Sequence, residues 1–107
     1  MSRYFHISSG LRGCYMPDSA GTVRVNTRRE LRSIVESECG AMRDAYGYGG
    51  SKRQISAAVA QVWAGYRTQH LDSVVPFGRD RTSRPFGVFI APASRADYLA
   101  SQEDSQS

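Results

Sequence analysis

The chain has 107 residues, of which 40% are hydrophobic, and it carries a net charge of +4. This length favours one small domain, and no apolar run reaches about 18 residues, the length that a membrane-spanning helix needs. The N-terminus lacks the apolar stretch of a secretory signal, so we expect a cytoplasmic protein. Cys14 and Cys39 are too few for a disulfide framework and are expected to be free thiols, with Cys39 in the core.

Two short strands are predicted before the first helix. Residues 3–8 alternate in polarity, with Phe5 and Ile7 on one side, and residues 22–26 place two valines on one side in the same way. A period of two is typical of half-buried strands. The intervening stretch, 9–21, is rich in glycine and predicts a loop.

The hydrophobic pattern then changes to helical spacing. Two capping boxes, each a serine or threonine followed three residues later by Glu or Gln, precede apolar series that recur at three and four residues. They predict helices over 28–46, capped by Thr27, and over 52–69, capped by Ser51. Gly40 weakens the first helix by about 1 kcal/mol relative to alanine, so either a close contact requires it or the cost is tolerated.

The last part of the chain predicts two strands, a basic hairpin between them and a short helix. The strands cover 73–77 and 86–91, and Pro76 favours an edge position or a strand end for the first of them. Ser94 begins a third capping pattern ahead of a helix over 95–101.

The predicted order of elements is β-β-α-α-β-β-α. Strands and helices segregate, so the expected fold class is α+β, with about four short strands in one sheet and two helices packed on one face. Residues 1–101 are expected to form a single domain, and residues 102–107 a frayed polar tail.

The stretch AYGYGGSKRQ, residues 45–54, poses the question of a phosphate-binding loop. A P-loop follows a strand and places its lysine before Ser or Thr. Here the glycines follow a predicted helix, and Ser51 precedes Lys52. A joint between two helices explains the stretch better, since the glycines can end the first helix and reverse the chain.

Both predicted helices begin with adjacent cations, which the helix dipole disfavours by about 0.3–1 kcal/mol each. Unfavourable charges of this kind indicate an anion-binding site, although a solvated surface with acidic neighbours such as Glu30 or Asp44 explains them as well. The basic hairpin and a nearby tyrosine extend the candidate surface, since arginine with tyrosine is typical of nucleic-acid stacking and of protein interfaces. The candidate binding residues are Arg28, Arg29, Arg32, Tyr48, Lys52, Arg53, Arg79, Arg81 and Arg84.

The sequence contains no strong catalytic or metal-binding pattern. His6, His70 and the two cysteines lack the close spacing of zinc-ligand pairs. A nucleophile and base formed by Cys14 and His6 lacks an accompanying oxyanion turn. Glu36 and Glu38 are expected on different faces of their helix. We therefore expect no enzyme activity, no cofactor and no metal.

The GYGG segment, residues 47–50, resembles the GxxG loop of a KH domain, and the resemblance covers residues 22–101. It implies that this loop, with the basic hairpin as the variable loop, clamps the backbone of single-stranded nucleic acid. The chain departs from the KH pattern in its longer first helix and in Tyr48, which stands where a basic residue is common.

Three further stretches, YFHISSGLRGCYMPDS, VRVNTRREL and GGSKRQISAAVAQVW, resemble small proteins carried by phages and mobile elements, which include anti-CRISPR proteins. This resemblance implies a non-enzymatic, stoichiometric binder or inhibitor of a host protein or ribonucleoprotein complex in the host cytoplasm. It assigns no site residues and no target. The alternative function is a sequence-tolerant domain that binds RNA or DNA through the KH-like loop and the basic hairpin. No membrane partner is expected, and the oligomeric state stays open.

Overall fold

The computed structural model of the chain describes residues 2–11, 14–15, 21–46, 50–67, 73–79 and 85–105. The described residues form β1 (Arg3–Leu11), β2 (Cys14–Tyr15), β3 (Gly21–Val25), α1 (Arg28–Tyr46), α2 (Lys52–Ala64), β4 (Ser73–Arg79), β5 (Pro85–Ala93) and α3 (Arg95–Ser105). The predicted α+β class and order of elements are confirmed, with the two-residue β2 as an addition.

The strands form one antiparallel sheet in which β1 lies between two neighbours. One side of β1 pairs along its length with β5, which in turn pairs with β4. The other side is shared, because β3 pairs with residues 3–7 and β2 with residues 10–11. Among the described strands β4 pairs with β5 alone, so Pro76 lies on an edge strand as predicted, next to a register shift at Gly78.

β1 and β2 extend into the stretch 9–21 that the sequence predicts as a loop. Ser9 pairs with Val88 of β5, and Leu11 pairs with Cys14 of β2. The glycines and polar residues here give no alternating pattern, and the pairing partner in β5 is distant in sequence. Gly21, the last residue of this stretch, begins β3, and the residues between these three strands lie outside the described part of the chain.

One face of the sheet carries the core, and α1 and α2 cover it. Strand alternation places Phe5 and Ile7 on this face, as predicted, and both are fully buried. The core cluster consists of Phe5, Ile7, Val25, Leu31, Val35, Cys39, Ile55, Ala58, Val59, Val62, Val75, Val88 and Ile90. Trp63 packs partly buried against this cluster. The prediction that two helices pack on one face of the sheet is therefore confirmed.

All three helices begin at the predicted capping residues. Ser51 and Ser94 each exchange hydrogen bonds in both directions with the residue three positions later. At α1 the Glu30 N–H donates to Thr27 Oγ1 at 3.1 Å. The Glu30 carboxylate accepts from the Asn26 N–H, and not from the N–H of the cap residue Thr27 as in a capping box. Local sequence therefore determines where each helix starts.

α2 ends at Ala64 and not at residue 69 as its apolar spacing predicts. The following Tyr66 packs toward the sheet, where its hydroxyl accepts from the Tyr4 N–H at 2.9 Å and donates to the Ala93 carbonyl at 3.2 Å. These bonds join β1 and β5 to the turn after α2. Tyr66 therefore matches the helical spacing of the apolar residues in α2, but its side chain contacts β1 and β5 and does not continue the helix.

α3 lies against the opposite face of the sheet, next to β1 and β3. The ring of Tyr98 contacts that of Tyr4 with centroids 5.5 Å apart, and an Asp97 oxygen lies 3.6 Å from His6 Nε2. Tyr4 and His6 alternate with the buried residues of β1, so they point away from α1 and α2. The helix continues to Ser105, so part of the predicted frayed tail is helical.

Candidate functional site

α1 and α2 form an antiparallel helix pair that determines where the predicted cations lie. Gly50, which precedes α2, is buried, and its carbonyl accepts a hydrogen bond from Arg43 Nη2 at 3.2 Å. Because Arg43 belongs to the last turn of α1, α2 begins beside the end of α1. The first turns of α1 therefore lie beside later turns of α2.

Three arginines from the first two turns of α1 line one wall of a groove of about 600 Å³, and α2 forms the other wall. We call this site the arginine groove, lined by Arg28, Arg29 and Arg32 of α1 and by Ser56, Val59 and Ala60 of α2. All three arginines are exposed, whereas Val59 is buried and its methyl groups belong to the core. The groove has a cationic rim and an apolar floor, and no carboxylate is among the described residues that line it.

Arg32 differs from the other two arginines because it has an acidic partner. Its Nε donates to Glu36 Oε1 at 3.0 Å, one helical turn away. Both side chains are more than two-fifths exposed, at 44% and 43%, so the pair contributes only about 0.3–0.5 kcal/mol to the helix. Within the described part of the chain, no hydrogen bond or ion pair involves the guanidinium of Arg28 or Arg29.

A second hollow, of about 390 Å³, flanks the other side of the first turns of α1 and shares Arg29 with the arginine groove. Its lining contains Thr27, Arg29, Glu30, Ser33 and Ile34. The carboxylate of Glu30 takes part in the helix cap. Of these two hollows, Arg28 and Arg32 line the arginine groove alone, and Arg29 lines both.

The remaining predicted binding residues do not line the arginine groove. Lys52 and Arg53 are exposed in the first turn of α2, beyond the groove edge at Ser56. The backbone of Arg79 ends β4, and nothing is described of its side chain. Three predicted residues, Tyr48, Arg81 and Arg84, lie outside the described residues. The structure thus brings together three of the predicted cations and places two more at the next turn of α2.

The last glycine of the GYGG segment has a structural role. A Cβ at Gly50 would overlap the side chain of Val75, so only glycine lets the chain pass this close to β4. Its backbone also bonds to the thiol of Cys39, and burial of that thiol raises its pKa to about 11. A protonated, buried Cys39 is no nucleophile at neutral pH. These contacts favour the helix-joint interpretation at Gly50, and residues 47–49 lie outside the described part of the chain.

His6 makes polar contacts on the face of the sheet against which α3 lies. Its Nδ1 lies 2.9 Å from Thr22 Oγ1, and its Nε2 lies near Asp97. Hydrogen bonds from the backbone and side chain of Ser94 hold the pKa of Asp97 below its usual value, and the charge of His6 adds to this effect. Over the described ranges, no three His, Cys, Asp or Glu side chains are grouped so that they could hold a metal ion. His70 and the side chain of Cys14 fall outside those ranges.

The α2 wall of the groove is the part of the site that sequence reasoning missed. None of the predicted binding residues lies on this wall, which is formed by Ser56, Val59 and Ala60. The available signal was the short connection between two predicted helices, which makes them antiparallel neighbours. Small residues one turn apart on α2 then leave space opposite the first arginines of α1.

No protein-family model, curated protein or solved structure matches this chain. Among the described helices, none combines the length and the apolar character needed to cross a membrane.

Proposed function

We propose that the protein is a non-catalytic binder that attaches its arginine groove to an acidic surface of a host protein or ribonucleoprotein complex. The observation that supports this proposal is the charge of the groove, since three guanidinium groups line it and no described lining residue is acidic. A stoichiometric inhibitor of the anti-CRISPR kind is the form of this function that the resemblance to small phage proteins suggests.

The two components of the groove contribute differently to binding. Guanidinium groups form charge-assisted, often bidentate bonds with carboxylates, and exposed cations also speed the encounter with an acidic partner. Ala60 is exposed and offers aliphatic surface that a partner side chain can remove from water, with the buried Val59 beneath it. Neither component needs a nucleophile, a metal or a cofactor, which agrees with a binding role.

The proposal is tested by reversing the charge of the groove while keeping the fold. The variant Arg28→Glu with Arg29→Glu is compared with Arg67→Glu with Arg95→Glu, which reverses two other exposed arginines and changes the net charge equally. Affinity capture from a host lysate should recover a partner with the parent chain and with the control variant, and lose it with the groove variant. Circular dichroism and urea unfolding check that all three chains fold. Equal capture by both variants would contradict the proposed site.

Sequence-tolerant nucleic-acid binding is a second candidate function. It is favoured by Lys52 and Arg53, which continue the cationic surface one turn beyond Ser56 of the groove. Fluorescence anisotropy with labelled single- and double-stranded oligonucleotides at low and near-physiological salt separates it from protein binding. A log–log salt slope of about −0.7 to −0.9 per phosphate contact, summing to about three contacts or more, would support nucleic-acid binding. If no oligonucleotide binds even at low salt, the result favours a protein as the partner of these arginines.

A further inference from the structure

The lining of the arginine groove can distinguish between classes of anion. Arg28 and Arg29 have no partner among the described residues, whereas Arg32 is already bonded to Glu36 at 3.0 Å. The opposite wall offers the hydroxyl of Ser56 and the exposed side chain of Ala60, with the buried Val59 beneath them, and no aromatic ring is among the described lining residues. The groove therefore presents two available guanidinium groups above a small apolar floor.

We propose that the arginine groove holds a short acidic peptide segment of the partner protein. Its carboxylates pair with Arg28 and Arg29, and a small aliphatic side chain between them packs on the exposed Ala60. This inference rests on the proposed binding function and specifies the chemical class of the occupant.

The chemistry of the groove favours a peptide over a nucleic-acid strand. Proteins that bind single strands without sequence preference stack bases on aromatic side chains, and the described lining supplies none. A strand also carries one charge on every nucleotide, but Glu36 offsets the cation at Arg32 and interrupts a continuous cationic path. A peptide can alternate carboxylate and aliphatic side chains, which matches a rim of two guanidinium groups and an apolar floor.

The size of the groove sets the length of the occupant. Arg28 and Arg32 are one helical turn apart, which is about 6 Å along the axis of α1. A volume of about 600 Å³ accommodates a few side chains but not a domain. The occupant is therefore a short segment, such as one or two turns of helix or a few extended residues, within a larger partner surface.

A random-peptide display library selected on the immobilised full-length protein tests the class of occupant directly. Selected peptides should be rich in Asp and Glu next to Val, Leu or Ala. A labelled selected peptide should bind the Arg28→Glu, Arg29→Glu variant at least about tenfold more weakly, because its carboxylates then meet like charges. With Arg28→Lys and Arg29→Lys we expect a loss of about fivefold, because lysine keeps the charge but lacks the bidentate fork. Arg67→Glu with Arg95→Glu should leave the affinity unchanged.

The floor is tested by a matched pair of variants on α2. Ala57 and Ala60 are both exposed alanines of that helix, but only Ala60 lines the groove. Ala60→Glu should abolish binding of the selected peptide, and Ala57→Glu should not. Both substitutions suit an exposed helical position, so we expect both variants to fold.

The possible results separate this inference from the proposed function. Selected peptides that are not acidic, or that bind equally to the Arg28→Glu, Arg29→Glu variant, would overturn the peptide assignment. A labelled thymidine oligonucleotide that binds through Arg28 and Arg29 and is not displaced by selected peptides would overturn it in favour of a phosphate backbone. If lysate capture still depends on these arginines in either case, the binding function stands and only the occupant is wrong. If capture is insensitive to them, the proposed function itself fails.

Discussion

The guanidinium of Arg3 lies over the indole ring of Trp63, with its Cζ 4.3 Å from the ring centroid, and its Nη1 donates to the Trp63 carbonyl at 2.8 Å. That carbonyl belongs to the last turn of α2, where acceptors lack a partner within the helix, and it also accepts from the Tyr66 N–H of the following turn at 3.4 Å. A cation is also favoured at the C-terminal end of a helix. One side chain of the first strand therefore stabilises the end of α2 by a hydrogen bond, by stacking and by charge.

Replacing Arg3 by alanine should lower the free energy of unfolding by about 1–3 kcal/mol, because the cation–π contact and the bond to Trp63 are both lost. Arg24→Ala is the control, since Arg24 is exposed and bonds only to the Ser2 hydroxyl among the described residues. Urea unfolding followed by circular dichroism measures both variants. Arg3→Lys should give an intermediate value, and equal midpoints for Arg3→Ala and Arg24→Ala would contradict the role assigned to Arg3.

Gly50→Ala should destabilise the fold by about 1–3 kcal/mol, as overpacking of a filled core does. The new Cβ would overlap Val75, which is fully buried and cannot move aside without disturbing the sheet. The measurement is the urea midpoint of the variant relative to the parent. An unchanged midpoint would mean that α2 can shift away from β4 at little cost.

Gly40→Ala should have the opposite sign and stabilise the protein by about 0.5–1 kcal/mol. Gly40 lies inside α1, and apart from its chain neighbours and the nearby backbone of its own helix, no heavy atom of the described residues lies within 4 Å of the position its Cβ would take. Since the same substitution is made at Gly50, the two variants control for each other. A lower stability of Gly40→Ala would reveal a packing requirement at this position.

The helix starts and the core-facing residues could be predicted from the sequence because they depend on local chemistry. Thr27, Ser51 and Ser94 satisfy free backbone donors within three residues of themselves, so each cap can be recognised without knowledge of the fold. Phe5 and Ile7 follow from strand alternation alone. These features hold in the structure because local and tertiary preferences agree.

The features that sequence reasoning missed depend on contacts between distant segments. Ser9 belongs to β1 because Val88 of β5 lies opposite, and α2 ends early because Tyr66 bonds to Tyr4 and Ala93. The arginine groove likewise exists because α2 docks antiparallel to α1. The charges at the start of α1 could be predicted from the sequence, but the position of α2, which forms the second wall of the groove, could not.

Cys39 should make stability depend on alkaline pH. Burial raises its pKa from 9.0 to about 11, so the unfolded chain loses this proton first as the pH rises. The contribution of the neutral thiol is fully present below about pH 9 and is lost progressively as the pH rises toward about 11. The stability difference between the parent and Cys39→Ala should therefore shrink over this range.

Urea unfolding of both chains at several alkaline pH values measures that difference. Comparing the two chains cancels the titration of tyrosines and lysine, which both share. A difference that stays constant from about pH 8 to about pH 10.5 would show that the thiol is not protected in the folded state.

Asp97 should contribute to stability at neutral pH and lose that contribution in acid. Hydrogen bonds from Ser94 lower its pKa below 3.8, so its carboxylate stays charged in the folded chain when the unfolded chain already binds a proton. The contribution is present above about pH 4 and disappears as the pH falls through the lowered pKa.

Asp97→Asn should thus be less stable than the parent near neutrality, with a difference that narrows below about pH 4. Asp44→Asn, at an exposed site of α1, removes one negative charge in the same way and serves as the matched control. Urea midpoints of the parent and the variants are measured across this pH range. A stability difference between the parent and Asp97→Asn that does not change with pH would show that the substitution acts through the packing of α3 and not through charge.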